Sequence, residues 1–348
     1  MMEAFYFRHD LNFKNPSGTS RGVLLKKISW FIVIKENEKI GVGECSLIDG
    51  LSPDPLENFE KTLKEVCHNI NLGDDYFYKK LLSYPSILFG YETALLSLKS
   101  KTPFILYPSP FTSQKKNIPI NGLIWMGDKS FMYKQIVEKI NAGFDCVKIK
   151  IGALDFDTEL NLLKNIRQEF TKNDIEIRVD ANCAFSFDSA LEKLKALSEY
   201  SLHSIEQPIK TKQWENMAYL CEYSPLDIAL DEELIGIHFG DREKMISTIN
   251  PKYIILKPSL IGGIKESEKW VALAQKNNIK WWVTSALESN IGLNVISQWV
   301  FKMSLNMKQG LGTGQLFTNN ISSPLSIKDG GLYYDLEKKW DLGFIKRQ

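Results

Sequence analysis

From Ile118 to Phe317 the chain alternates short apolar runs with amphipathic stretches, and this alternation organises it. The apolar runs are Ile118–Met126, Asp145–Ile151, Ile175–Asn182, Ser204–Ile209, Asp227–Glu232, Tyr253–Pro258 and Lys280–Ser285. Each has the length and β-branched content of a buried strand. Between them, Phe131–Asn141, Asp157–Thr171, Ser189–Tyr200, Lys265–Asn277 and Leu293–Ser304 carry apolar residues at helical spacing. Asp188 or Ser189 is the expected cap of the third helix, because Ser189 and Glu192 have capping-box spacing. Gln309–Phe317 supplies an eighth strand. Strands that alternate with helices predict a parallel sheet, and this many predict a closed barrel rather than an open sheet.

The first 115 residues follow a different pattern. Ser29–Lys35 and Ile40–Glu44 read as a hairpin around Glu36-Asn37-Glu38-Lys39, and Ala4–Asp10 adds a strand. Leu56–Ile70 and Tyr91–Leu98 have helical spacing, so residues 1–115 read as a small α+β domain. Two stretches rich in small or turn residues, 17–22 and 47–53, are either solvated connections or a lid over a neighbouring site. The barrel then occupies 116–317. The tail, 318–348, contains a short strand at Gly331–Leu336 and is expected to pack back on the N-terminal domain.

Charged residues close the apolar runs. Asp180, Glu206, Asp231 and Lys257 follow one another at 26, 25 and 26 residues, about the length of one strand plus one helix. In a parallel barrel all of them reach the same end, the end where barrel enzymes do chemistry. Alternation also places Lys148 and Lys150 on one face of their strand, turned inward by their apolar neighbours Val147, Ile149 and Ile151. Two ammonium groups so close are expected to depress each other's pKa, which suits a general base. A solvated lysine pair is the plainer alternative. Asp180, Glu206 and Asp231 would repel one another at one mouth unless a hard divalent cation joined them through oxygen, and Mg²⁺ suits few protein ligands with open positions. Taken singly, each acid reads equally well as a helix cap or a surface residue. Lys257 either faces Lys150 across the metal or forms a salt bridge with Asp231 or Glu232. Ser285, Glu288 and the glycine turn Gly310–Gly314 offer hydroxyl and backbone N–H groups to a second carboxylate.

Composition narrows the partners. Hydrophobic residues make up 44% of the chain and charged residues 24%, the balance of a soluble globular protein. A formal net charge of +1 without a basic block gives no support for nucleic acid or an anionic membrane as partner. No apolar run is long enough for a membrane span. Charges within Met1–Asp10 argue against a signal peptide. Five scattered cysteines without a Cys-x-x-Cys pair favour reduced thiols, so the expected location is cytoplasmic. Oligomeric state stays open.

These residues together resemble the enolase superfamily, in its muconate-lactonizing-enzyme-like branch. The resemblance implies an N-terminal capping domain, a modified (β/α)₇β barrel and a C-terminal return to the cap. It implies Mg²⁺, with Mn²⁺ as a substitute, on Asp180, Glu206 and Asp231. Lys150 would be the acid/base and Lys257 the opposing lysine. Lys148 would tune Lys150 and contact a small carboxylate substrate, beside Asn182, Ser285, Glu288, Gly312 and Thr313. Arg21 and Leu51 would place both N-terminal loops in a lid. Within the branch, Gly43-Glu44-Cys45-Ser46 leading into Leu47–Ser52, Thr284–Ser289 and Gly312–Thr318 most resemble the o-succinylbenzoate synthase family, which implies an Mg²⁺-dependent dehydratase of menaquinone biosynthesis. Dipeptide epimerases of the branch carry Asp-x-Asp where this chain has Gly312-Thr313-Gly314, which argues against a dipeptide. N-succinylamino acid racemase is the nearest enzymatic alternative, and a silent binding barrel the alternative of another class.

Overall fold

The computed structural model describes residues 1–19, 22–102, 104–304 and 306–346. The chain begins with an antiparallel sheet of β1 (Glu3–Thr19), β2 (Gly22–Glu36) and β3 (Lys39–Ser46). Glu36 pairs with Lys39 across a two-residue turn, and Asn37 takes the left-handed backbone that asparagine tolerates. β1 is much longer than the expected Ala4–Asp10. It runs with β2 as a ribbon whose register shifts between Asn12 and Ser17. The stretch expected to be an open loop at 17–22 is therefore the end of that ribbon, with Ser17–Thr19 paired to Gly22–Leu24. Arg21 lies outside the described residues.

Helices α1 (Phe59–His68), α2 (Asp74–Lys80) and α3 (Pro85–Lys99) cover this sheet. The contact of α3 with β3 is close enough to require glycine. A Cβ on Gly43 would meet the Gly90 carbonyl oxygen at 1.8 Å, and one on Gly41 the Ala94 carbonyl oxygen at 2.1 Å. Ile32, Ile34, Leu63, Phe77, Ile87 and Ala94 fill the space between sheet and helices.

After β4 (Ile118–Pro119) the barrel strands follow: β5 (Gly122–Ile124), β6 (Cys146–Lys150), β7 (Glu176–Asp180), β8 (Ser204–Glu206), β9 (Ile228–Leu230), β10 (Tyr253–Leu256) and β11 (Lys280–Val283). They form one parallel sheet in sequence order. The helices between them are α4 (Lys129–Asn141), α5 (Phe156–Glu169), α6 (Phe187–Ser198), α7 (Trp214–Tyr223), α8 (Arg242–Ile249), α9 (Pro258–Ile261) and α10 (Gly263–Lys276), and α11 (Asn290–Lys302) follows β11. Outward strand residues such as Val147, Ile149, Ile177 and Val179 pack in the main core with helix residues such as Leu162, Leu163 and Ile166.

The expected eighth strand over Gln309–Phe317 is much reduced. Gln309 bridges Ile120 and Gly310 bridges Thr284, which closes the barrel, and the chain then turns through a short 3₁₀ segment at Gly312–Gln315. Glycines at 310, 312 and 314 leave this stretch few side chains with which to hold a strand. At Gly310 a Cβ would lie 2.0 Å from Thr284 Oγ1, so closure needs the bare backbone. The α6 cap also differs from expectation. Ser186 is the N-cap, and its hydroxyl meets that of Ser189 at 2.9 Å in place of a Ser189–Glu192 box.

The tail has two destinations. Phe317 bridges Phe13, and the Thr318 N–H donates to the Asn12 carbonyl at 2.9 Å, both on the N-terminal sheet. The hairpin of β12 (Leu325–Lys328) and β13 (Gly331–Tyr334) instead pairs with β4 of the barrel segment. A last short helix, α12 (Gly343–Lys346), follows Trp340, which stacks on Phe104 beside Phe7, Phe31 and Val33.

Candidate active site

The parallel register assembles the site. Lys150 stands opposite Asp180, and Asp180 opposite Glu206, so the last residues of β6, β7 and β8 form one row. Asp231 and Lys257 come immediately after β9 and β10. Above this row lies a cavity between the barrel mouth and the N-terminal sheet. Its floor carries Lys148, Lys150, Asp180, Asn182, Glu232 and Lys257, and its walls carry Leu24, Ile48, Leu51, Leu123, Trp125 and Leu287. A charged floor under an apolar wall suits a small anion with an apolar part.

The floor is a lattice of opposite charges. Lys148 Nζ lies 3.1 Å from Asp180 Oδ2 and 2.9 Å from Glu206 Oε2. Lys150 Nζ lies 3.3 Å from Asp180 Oδ2 and also donates to Asn182 Oδ1. Lys257 donates to Asp231 Oδ2. Asp180, Glu206 and Asp231 are all almost fully buried. Burial opposes the charge on Lys148, but Asp180, Glu206 and Asp231 outweigh it and hold the ammonium above the ordinary lysine value. This corrects the expectation of a depressed ammonium at Lys148, because the nearby carboxylates dominate there. Lys257 is likewise raised, with Asp231, Glu206 and Glu232 overcoming burial.

The carboxylates diverge. Burial opposes the charge on Asp180, yet Lys148, Lys150 and Lys257 bring its carboxyl below the ordinary range. Glu206 is driven well above that range by burial and by the Asp180 charge, against the pull of Lys148. Such mutual repulsion at a buried acidic group is relieved by a cation with oxygen ligands. A second observation fits the same group: Asp231 Oδ1 is buried without a hydrogen-bond partner. Among the described residues no three acidic, imidazole or thiol groups already converge as a finished cage, since Lys148 stands between Asp180 and Glu206. The donor set therefore fits a divalent cation once the lysine contacts loosen.

Of the residues expected to meet substrate, Lys148, Leu51, Asn182, Ser285, Gly312 and Thr313 line the cavity. Glu288 does not. It is fully buried behind the wall, accepting from Ser259 Oγ at 2.5 Å and from the Ala286 N–H at 2.7 Å. Ser259 and the Ala286 N–H hold it away from the cavity, which corrects its assignment as a substrate contact. Asn121, Trp125 and Leu24, which no motif singled out, also line the cavity, as does Ile48 from the expected 47–53 lid. Trp125 follows β5 and was findable by the strand-end logic applied to the later strands, whereas Asn121 precedes that strand. Leu24 and Ile48 reach the cavity from another domain, for which spacing carries no signal.

This architecture is shared. Residues 132–336 match the family model described as "Enolase C-terminal domain-like", and the chain belongs to the enolase superfamily, whose enzymes use a divalent metal ion. It is 46% identical to the o-succinylbenzoate synthase of Desulfotalea psychrophila, across 95% of this chain and 98% of that one. The crystal structure of MenC from the same organism superposes with a TM-score of 0.86 at 42% identity, covering 95% of this chain and 99% of that one. An L-amino acid-D/L-Glu epimerase from Francisella philomiragia is 26% identical over 74% of each chain. The N-succinyl Arg/Lys racemase of Bacillus cereus shares the fold, with a TM-score of 0.83 at 21% identity over 98% of this chain and 94% of that one.

Proposed function

We propose that this chain is an Mg²⁺-dependent o-succinylbenzoate synthase, removing water from 2-succinyl-6-hydroxy-2,4-cyclohexadiene-1-carboxylate to give 2-succinylbenzoate for menaquinone biosynthesis. The observation that carries this reading is the near full-length 46% identity to a synthase, joined to a cavity with lysines and carboxylates on its floor. Asp180, Glu206 and Asp231 would hold the cation, which supplies positive charge to the substrate's ring carboxylate.

Lys150 takes the proton from the ring carbon bearing that carboxylate. Its ammonium then donates the proton to the departing hydroxyl, so one water leaves and Lys150 returns to its starting state. The difference between the two lysines of β6 supports this choice. Lys148 is pinned by two carboxylates and keeps its charge, whereas Lys150 has one carboxylate contact, at 3.3 Å, and one amide contact. Lys257 opposes the negative charge that develops in the substrate. Ser285 and Thr313, whose hydroxyls hydrogen-bond each other, face the cavity where the succinyl carboxylate would lie.

Purified protein with Mg²⁺ should deplete the cyclohexadiene's ultraviolet absorbance rapidly, and EDTA should stop it. Absence of turnover with the metal bound would overturn the substrate assignment. The lysines on β6 and after β10 would also suit proton exchange at one carbon, so N-succinylamino acids belong in the same assay.

A further inference from the structure

The wall segment 284–289 lines the cavity through Thr284, Ser285, Ala286 and Leu287; the barrel holds its first two residues, Thr284 N–H on the Leu256 carbonyl at 3.0 Å and Ser285 N–H on the Gly310 carbonyl at 2.9 Å, and the chain leaves the strand after them. It is also strained. Leu287 has a φ of +61°, a left-handed backbone that a leucine adopts only when its surroundings impose it. Beyond Ser285 part of the restraint comes from the N-terminal sheet. Glu44 on β3 is fully buried and reaches across the domain boundary with both carboxylate oxygens. Oε1 accepts from the Ser289 N–H at 2.9 Å and Oε2 from Ser289 Oγ at 2.5 Å and the Gly292 N–H at 3.0 Å. Two residues further along β3, Ser46 Oγ donates to the Ala286 carbonyl at 3.3 Å.

The geometry around Glu44 is specific. Ser29 Oγ donates to Oε1 at 2.6 Å, and the buried Lys27 ammonium lies 3.8 Å from the same oxygen. A Cβ on Gly292 would come within 3.0 Å of Glu44 Oε2, so glycine there is what lets the carboxylate approach the first turn of α11. Glu288 completes the grip from within the segment through the Ala286 N–H. Glu44, Lys27, Ser29, Glu288 and Ser289 are not among the residues lining the cavity.

We propose that Glu44 is a positioning residue for substrate binding: from the N-terminal sheet it fixes the 284–289 segment, so that Ser285 and Leu287 face the substrate in one conformation. Cap and barrel are thereby coupled behind the site as well as above it. A small displacement of a binding wall costs affinity even where the reacting groups stay in place.

The test compares Glu44→Gln with the parent enzyme. An amide presents N–H groups where the carboxylate accepts from the Gly292 N–H, so the grip weakens at nearly constant shape. The substrate assay rests on the synthase reading above; amide hydrogen exchange does not. Glu44→Gln is expected to raise KM about tenfold with kcat changed less than about threefold, because it removes substrate binding and leaves Lys150 in place. Exchange at residues 285–292 should accelerate while Mg²⁺ affinity is unchanged. An unaltered KM, or a loss of kcat alone in proportion to misfolded protein, would overturn the proposal. If Glu44→Gln fails to fold, Ser289→Ala removes the hydroxyl's bond to Glu44 Oε2 together with the α11 cap it accepts from the Ile291 N–H; it should shift KM in the same direction, and an unshifted KM there overturns the proposal equally. Should the parent enzyme not turn over the cyclohexadiene, unchanged exchange at 285–292 in the variant still refutes the positioning role.

Discussion

Lys150 and Lys257 reach one cavity from strands four places apart in the barrel sheet, each resting on a different carboxylate, Asp180 and Asp231. β7 and β8 end in Asp180 and Glu206 and Asp231 follows β9, so on the proposed reading the lysines bracket the cation site. Bracketing of this kind separates two tasks that need different lysines, moving a proton and opposing a charge.

Lys150→Ala should reduce kcat by at least about a thousandfold, within the range for removal of a positioned acid/base. Mg²⁺ affinity, read by calorimetric titration, should persist because none of the three carboxylates is changed. Substantial residual turnover would reassign the proton transfer, with Lys148 the poorer candidate because its two carboxylate contacts hold its proton.

Asp231→Asn tests the cation site. Oδ1 is buried and unpartnered while Oδ2 accepts from Lys257, so the variant removes a ligand charge and leaves Lys257 without its anion. Metal affinity and turnover should fall together, and excess Mg²⁺ should restore part of the rate. An unchanged metal titration would refute the ligand assignment.

Stability should depend on pH through Asp54, just after the 47–53 turn. Asp54 is buried, accepts from Ser86 Oγ at 2.7 Å and leaves Oδ2 unpartnered. Burial pushes its carboxyl up to about 7, against hydrogen bonds from Ser86 that pull the other way. A folded-state value above the unfolded one means the protonated form stabilises the fold. That contribution is complete below about pH 4 and disappears as pH rises through about 7. Its slope is at most about 1.4 kcal/mol per pH unit. Urea midpoints of Asp54→Asn between pH 5 and 8 should show a flatter profile than the parent; parallel profiles would exclude Asp54 as the source.

Much of the barrel and its charged mouth was readable from the chain because both depend on local period. A strand ending in a charge every 25 or 26 residues carries its own register, and Lys150, Asp180 and Glu206 fall in one row. What period cannot encode is contact between domains. Glu288 looked like a ligand-facing acid after β11, yet it is turned behind the wall by Ser259 and the Ala286 N–H. Glu44 sits in a strand whose alternation says only that one face is buried. The eighth strand came out short for a related reason: closure uses Gln309 and Gly310, where propensity counted nine residues.

Lys257 separates dehydration from racemisation. In dehydration its charge matters and its proton stays, so Lys257→Ala should lower kcat about a hundredfold, as removal of one electrostatic donor does. Lys257→Arg keeps a permanent charge with a proton it cannot release, and should retain more activity than the alanine variant. In racemisation of an N-succinylamino acid both lysines carry protons in turn, and arginine at 257 should then be as inactive as alanine. Measuring both reactions on the two variants, with solvent deuterium incorporation into the amino acid, distinguishes the roles. Equal loss in the dehydration assay would show that Lys257 moves a proton there too, and Lys150 would no longer be the sole acid/base.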